Sequence, residues 1–138
     1  KPLEPEKPSG ELELDEIINS LSGVKMTADG GSISPKGMDI KFINNSNIEY
    51  IFSEDFFIQR KQSKGWEDVK PILEEGEYAF HDIALVLPAG EDADWKVDWA
   101  WLYGSLEKGD YRIVKTVIGE REPVDAELYY LGVEFKIK

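Results

Sequence analysis

The sequence predicts an all-β sandwich of seven to nine short antiparallel strands, with one short helical turn late in the chain. Three observations point there. Apolar and polar residues alternate at a period of two in segment after segment. Clusters of Gly, Pro, Asn and Ser punctuate those segments at the spacing expected of turns in such sandwiches. One aromatic stretch, Trp95 to Val114, breaks the alternation with a helical spacing and then a tight corner.

The elements follow in chain order. Residues 1–22 read as a Pro-rich tether with a short amphipathic helix, and residues 23–138 as the sandwich domain. Pro2, Pro5 and Pro8 recur among Lys and Glu, which favours extended polyproline II and offers no apolar face. Leu14, Ile17, Ile18 and Leu21 fall at i, i+3, i+4 and i+7, a helix that Gly23 would end and that would pack on the domain from outside its sheets. From Val24 the period becomes two. Val24, Met26 and Ala28 form a half-buried strand closed by Gly30-Gly31, and Met38, Ile40 and Phe42 form a second. Asn44-Asn45-Ser46-Asn47 is a turn, and its first three residues match a glycosylation sequon.

Tyr50-Ile51-Phe52 and Phe56 to Arg60 read as strand, interrupted at Ser53-Glu54-Asp55. A polar turn at Lys61 to Lys64 precedes a short strand around Trp66, which Pro71 stops. This is an edge strand that Lys61, Lys64 and Lys70 would guard against pairing between copies. Ile83, Leu85 and Leu87 alternate before the turn Pro88-Ala89-Gly90.

Trp95 and Val97 share one face of the next strand. A straight strand through Trp101 would stack three tryptophans on that face. Trp99, Leu102, Tyr103 and Leu106 instead sit at helical spacing, with Asp98 to cap the turn and Gly104 to stop it. Tyr111 to Ile118 is strand-like with a parity fault: Lys115 shares the face of Tyr111, Ile113 and Val117. The strand either leaves the core there or carries a bulge. Leu131, Val133, Phe135 and Ile137 face one way in the last strand.

Composition narrows the function classes. A chain of 138 residues suits one domain, and its net charge of −12, from 16 basic and 28 acidic residues, repels nucleic acid and anionic membrane surfaces. The absence of cysteine removes disulfide scaffolds, thiolate metal sites and thiol nucleophiles. No stretch has the ~20 apolar residues of a membrane span. The chain begins at Lys1 rather than Met, which leaves room for an export signal and a lipid-accepting cysteine upstream.

The corner sharpens the fold. In immunoglobulin-like sandwiches a tyrosine near the start of strand F bonds its hydroxyl to backbone a few residues upstream, two residues before a core position. Gly109, Tyr111 and Ile113 fit the turn, the corner and the core slot. The fold expected is therefore an immunoglobulin-like β-sandwich with its helical turn just before strand F.

Several segments together resemble the bacterial Ig-like domain of Firmicutes surface lipoproteins. They are Leu87-Pro88-Ala89-Gly90-Glu91, Trp95-Lys96-Val97-Asp98-Trp99, Leu102-Tyr103-Gly104 and Gly109-Asp110-Tyr111-Arg112-Ile113-Val114-Lys115. Phe42-Ile43-Asn44-Asn45-Ser46, Glu54-Asp55-Phe56 and Gly65-Trp66 fit as well, so the likeness spans roughly residues 23–118 with a final strand to 138. It implies an extracytoplasmic domain, often tethered by an N-terminal lipid, with no defined catalytic site. A weaker similarity, to the intracellular proteinase inhibitors of bacilli, rests on a Leu-Pro-x-Gly-Glu turn, a tryptophan strand and a Gly-x-Tyr corner.

No motif carries catalytic chemistry. His81 is the only histidine, and Asp82 beside it points elsewhere on extended backbone; no Gly-x-Ser-x-Gly elbow accompanies it. The acidic groups Glu74-Glu75-Glu77, Glu91-Asp92-Asp94 and Glu120-Glu122 are runs in an acidic chain, not carboxylates placed across a cleft. Asp92 and Asp94 with Glu91 offer calcium two or three ligands where six to eight oxygens are needed. Gly30-Gly31-Ser32 precedes no helix and is a turn, not a phosphate loop. Of the four tryptophans, Trp95 and Trp99 suit the core, while Trp66 and Trp101 remain for a carbohydrate-stacking surface. The expectation is a non-enzymatic binding or spacer module at the bacterial surface, without cofactor or metal, its partner a protein or carbohydrate there. The alternative is a protease-inhibitor-like sandwich presenting residues 71–82 or 119–125 as its exposed loop.

Overall fold

The structure, a computed structural model, describes residues 14–52, 55–74, 76–78, 85–119 and 128–138. The Pro-rich tether, His81 with Asp82, Ile83, and the acids Glu75, Glu120 and Glu122 lie outside the described residues, as does most of the loop 119–125.

Nine strands are described: β1 (Val24–Ala28), β2 (Gly37–Asn44), β3 (Tyr50–Phe52), β4 (Phe57–Gln62), β5 (Gly65–Asp68), β6 (Leu85–Leu87), β7 (Asp92–Asp98), β8 (Gly109–Gly119) and β9 (Leu128–Ile137). Two single-turn helices accompany them, α1 (Leu14–Ile17) and α2 (Ala100–Tyr103). Sheet A runs β1-β2-β7. Sheet B is six-stranded and built on β8. One edge of β8 pairs with β9 over its length, from Gly109↔Ile137 to Ile118↔Leu128. A strand has two edges, so β4 and β3 divide the other: Phe57 to Arg60 lie against Val114 to Tyr111, and Tyr50 to Phe52 against Gly119 to Val117. As the interruption predicted after Phe52 requires, β3 and β4 are separate strands, one ending at Phe52 and the other starting at Phe57. β5 and β6 extend the sheet beyond β4 and β3, and β5 pairs with β4 alone, as an edge strand does.

Period-two alternation makes the sandwich. Register places Met26 opposite Phe42, Ile40 opposite Trp95 and Met38 opposite Val97 on the inner face of sheet A. These pack with Tyr50, Phe52, Ile58, Leu87, Ile113, Val117, Leu131 and Phe135 of sheet B in one buried cluster. Phe42 stacks on Trp95 with ring centroids 5.8 Å apart and tilts against Phe52 at 4.5 Å. Such aromatic pairs supply area and geometry where no disulfide joins the sheets.

The helical spacing after Trp95 is realised. Trp99, Leu102, Tyr103 and Leu106 are all buried, the Asp98 carboxylate accepts the Ala100 N–H at 3.0 Å, and Gly104 closes α2 at φ 71° by donating to Ala100 O. Trp99 donates its indole N–H to Pro35 O at 2.7 Å and tilts against Phe135. The corner is formed as the spacing predicts, with the Tyr111 hydroxyl donating to Glu107 O at 2.6 Å. These residues fold as an immunoglobulin-like sandwich.

Two local expectations are corrected. The first helix stops after Ile17, not at Gly23. Asn19 turns left-handed (φ 59°), a conformation asparagine tolerates, and its own N–H and side-chain amide bond to β9 instead of extending the helix. The second correction concerns Lys115. Strand β8 neither leaves the core nor bulges there, since its ladder with β9 is unbroken. Lys115 points inward and is 1% exposed. Its ammonium lies 4.4 Å from the Trp95 ring centroid and 5.7 Å from that of Phe52, and it donates to Asp55 O at 2.9 Å. Aromatic faces and a backbone carbonyl replace water around the charge.

Candidate functional site

Large apolar side chains left at the surface are the natural place to seek a site on such a sandwich. Two groups stand out among the described residues. One is on α2 and the loop before β6. Three of the side chains around this turn, Trp99, Leu102 and Tyr103, go inward, and Trp101 goes outward at 41% exposure. Beside it, Ile72 is 62% exposed. The Ile72 N–H donates to Leu102 O at 2.7 Å, and its side chain lies over Gly104, 3.5 Å from where a Cβ would stand. Tyr78 meets Trp101 edge-on, with centroids 6.4 Å apart. A turn in which Glu77 accepts the Glu74 N–H at 2.7 Å and donates its own N–H to Glu74 O closes the loop between them. Trp101 and Tyr78 in ring contact, with Ile72 bonded to the same turn through its backbone, thus make an apolar knob around α2 with the carboxylates of Glu74 and Glu77 on the connecting loop.

The other group follows from register. Val86, Ile51, Ile118 and Leu128 stand in one row across β6, β3, β8 and β9 on the outer face of sheet B. Val86 and Ile118 are exposed, whereas Ile51 and Leu128 are half-buried.

Two concavities elsewhere on the described surface carry charged side chains in their lining. A cleft of about 330 Å³ beside the tyrosine corner is lined by Arg60, Glu67, Asp68, Tyr103 and Glu107. Arg60 there is already engaged, 3.4 Å from Glu107, bonded to Lys108 O at 2.9 Å and lying over Tyr111. Burial pushes the Tyr103 hydroxyl well above its usual range. Burial also raises that of Tyr111, against the opposing pull of Arg60. Both phenols are therefore held neutral, as hydrogen-bonding groups. A broader groove lies on the outer face of sheet A, where Asp39 faces Lys96 and Lys41 faces Asp94 across the strands. Opposite charges in register offset one another there.

Several sequence-level candidates separate in space. Asp92 and Asp94 point outward from β7, Glu91 has the opposite parity, and Asp94 stands against Lys41, so no oxygen cage forms. Among the described residues no group of three or more His, Cys, Asp or Glu is placed to hold a metal ion. Gly30–Ser32 is a 3₁₀ turn whose Gly31 N–H is taken by Asp29. Asn44, first residue of the sequon, is fully buried. Its amide donates to Ile48, Leu87 and Pro88 carbonyls and accepts from Ser46, so it is a plug between turns and no glycan acceptor.

Trp66 is no open platform either. It is half-buried on the outer face of sheet B, with the Arg112 guanidinium 4.5 Å from its centroid and the Lys61 ammonium at 5.9 Å. Arg112, 6% exposed, donates to Gln59 at 2.8 Å and pairs with Asp15, and Gln59 donates on to Asp68 at 2.9 Å. Sequence reasoning missed this row, and it placed Ile72 within the exposed loop 71–82 without singling it out; no local pattern separates it from the adjoining Leu73, which is half-buried.

A sandwich locked by a tyrosine corner is shared by many unrelated chains, so membership is decided by sequence. Residues 20–136 match the bacterial Ig-like domain family. The chain belongs to that family. No curated protein matches it. In this bacterial Ig-like domain the matched span covers β1 to β8, all of β9 but its last residue and the whole of the Trp101 knob, while α1 lies outside it. No described helix is long and apolar enough to cross a membrane.

Proposed function

We propose that this bacterial Ig-like domain is a non-enzymatic binding module working outside the cytoplasm, held near the cell surface by its N-terminal segment. The knob of Trp101, Ile72 and Tyr78 carries this reading. A tryptophan left at 41% exposure and an isoleucine at 62%, on and against a turn whose Leu102 and Tyr103 are buried, are the composition of an interface anchor. Rigid aromatic area on a fixed backbone costs little entropy to bury against a protein surface or a sugar ring. The Pro-rich residues 1–13 have the composition of a semi-rigid spacer, and an upstream lipid-accepting cysteine would complete a surface lipoprotein. The test has two arms. Cell fractionation of the native producer should place the protein outside the cytoplasm; a cytoplasmic location would reject the surface reading. Trp101→Ala should leave stability within about 0.5 kcal/mol of the parent. It should also cut binding to isolated cell-envelope material at least tenfold, and unchanged binding would reject the knob as the anchor.

A protease-inhibitor reading draws on one observation: among the described residues Ile72, in the loop 71–82, is the most exposed of the large apolar side chains, and its backbone is bonded to α2. Inhibition of proteases that cleave after aliphatic residues, lost in Ile72→Asp, would favour it over the module.

A further inference from the structure

The outer face of sheet B carries a second apolar cluster, separate from the core between the sheets. Phe57, Val114 and Tyr130 form it, and Leu14, Ile17 and Ile18 cover it. Three kinds of contact hold that cover down. Ile18 occupies the space above Gly132 where a Cβ would stand. Asp15 pairs with Arg112. Asn19 completes β9 as a strand residue would: its N–H donates to Tyr130 O at 2.8 Å, its amide donates to Gly132 O at 3.0 Å and accepts the Gly132 N–H at 2.9 Å. Yet no residue of α1 is itself buried, Asp15 is 61% exposed at its side chain, and a helix of one turn has no stability of its own. Left-handed backbone at Asn19 (φ 59°) and Gly23 (φ 85°) brackets the link to β1. The cover also lies outside the family match, which begins at residue 20.

We infer that residues 14–19 are a releasable strap, which fixes where the N-terminal chain leaves the sandwich and peels away under load before the sandwich opens. Docked, the strap holds that chain against the flank of sheet B beside Arg112. Released, the pivot moves to Val24 at the start of β1, and Phe57, Val114 and Tyr130 become accessible while the core between the sheets stays closed. Separate clusters make such a local opening independent of global unfolding. The inference rests on the reading of the N-terminal segment as the tether.

The cysteine-free chain allows single attachment points. Optical-trap pulling between Ser9→Cys and Lys138→Cys should show a reversible low-force lengthening before the main unfolding event, bounded by about 35 Å, the full extension of residues 14–23 at up to ~3.5 Å each before the distance they already span is subtracted. Pulling between Ser22→Cys and Lys138→Cys should lack that first step and keep the main event at the same force. Ile18→Asp with Asn19→Ala, in the Ser9 format, should lower the force of the first step at least twofold. A single event identical in both formats, or a first step that takes the whole sandwich with it, would overturn the strap. If the strap peels but fractionation finds no surface anchoring, the tether reading alone fails.

Discussion

The two faces of sheet B bury apolar side chains under very different covers. Its inner face meets sheet A, and Phe42, Trp95 and Trp99 interlock with its aromatics in a cluster drawn from almost every strand. Among the described residues, the cluster on its outer face is covered by one helical turn with Ile18 and the asparagine after it. The contrast extends to the two cations that β8 sends in opposite directions. Lys115 goes inward and is held by rings and a carbonyl. Arg112 goes outward and is held by Gln59, Trp66 and, from the strap, Asp15. A charge can be buried on either side of one strand, but only the outer one depends on a segment that can leave.

The comparison can be pressed from its stronger side to its weaker. Trp99→Ala removes the largest fully buried side chain of the inner cluster together with its bond to Pro35, and should cost about 4 kcal/mol in urea unfolding. Lys115→Ala opens a void beside Trp95 and Phe52 and loses the bond to Asp55, for about 2 kcal/mol; Lys115→Met, which keeps the stem, should cost less. If Lys115→Ala proved neutral, the inner face would be as forgiving as the outer one and the contrast would break. Ile18→Ala empties the space above Gly132 and should cost about 1 kcal/mol, with the added sign that hydrogen exchange quickens at Asn19 and Gly132, whose N–H groups make the strap's bonds, but not at Ile113 or Leu131. Equal quickening on both faces would mean that the strap belongs to the global cooperative unit.

What was legible in the sequence follows the same division. Alternation exposed the strands because each has one face turned to a core, and the helical spacing from Trp99 to Leu106 exposed α2 for the same reason. The tyrosine corner was legible because its chemistry is local, a hydroxyl reaching a carbonyl four residues back. Lys115 was not. Its parity marked an anomaly, but the rings that accept it come from β3 and β7, and no local pattern announces such a distant partner. The strap was half legible. The apolar spacing of Leu14, Ile17 and Ile18 was there to see, whereas the stop at Asn19 depends on the edge of a strand more than a hundred residues later. Of the knob, Trp101 could be named by elimination, but its neighbours Ile72 and Tyr78 arrive through a loop whose path no periodicity sets.

Strand β8 is the sole bridge between β3, β4 and β9, and it occupies Gly109–Gly119. On a ribosome, the preceding hundred residues can close sheet A and the outlying pairs β4 with β5 and β3 with β6, but cannot join those pairs to one another. Sheet B has no spine until β8 arrives, and no tyrosine corner until Tyr111 does. Long-range pairing of this kind delays folding. A chain built this way stays pliable while it is being delivered, and sets only once nearly all of it has emerged.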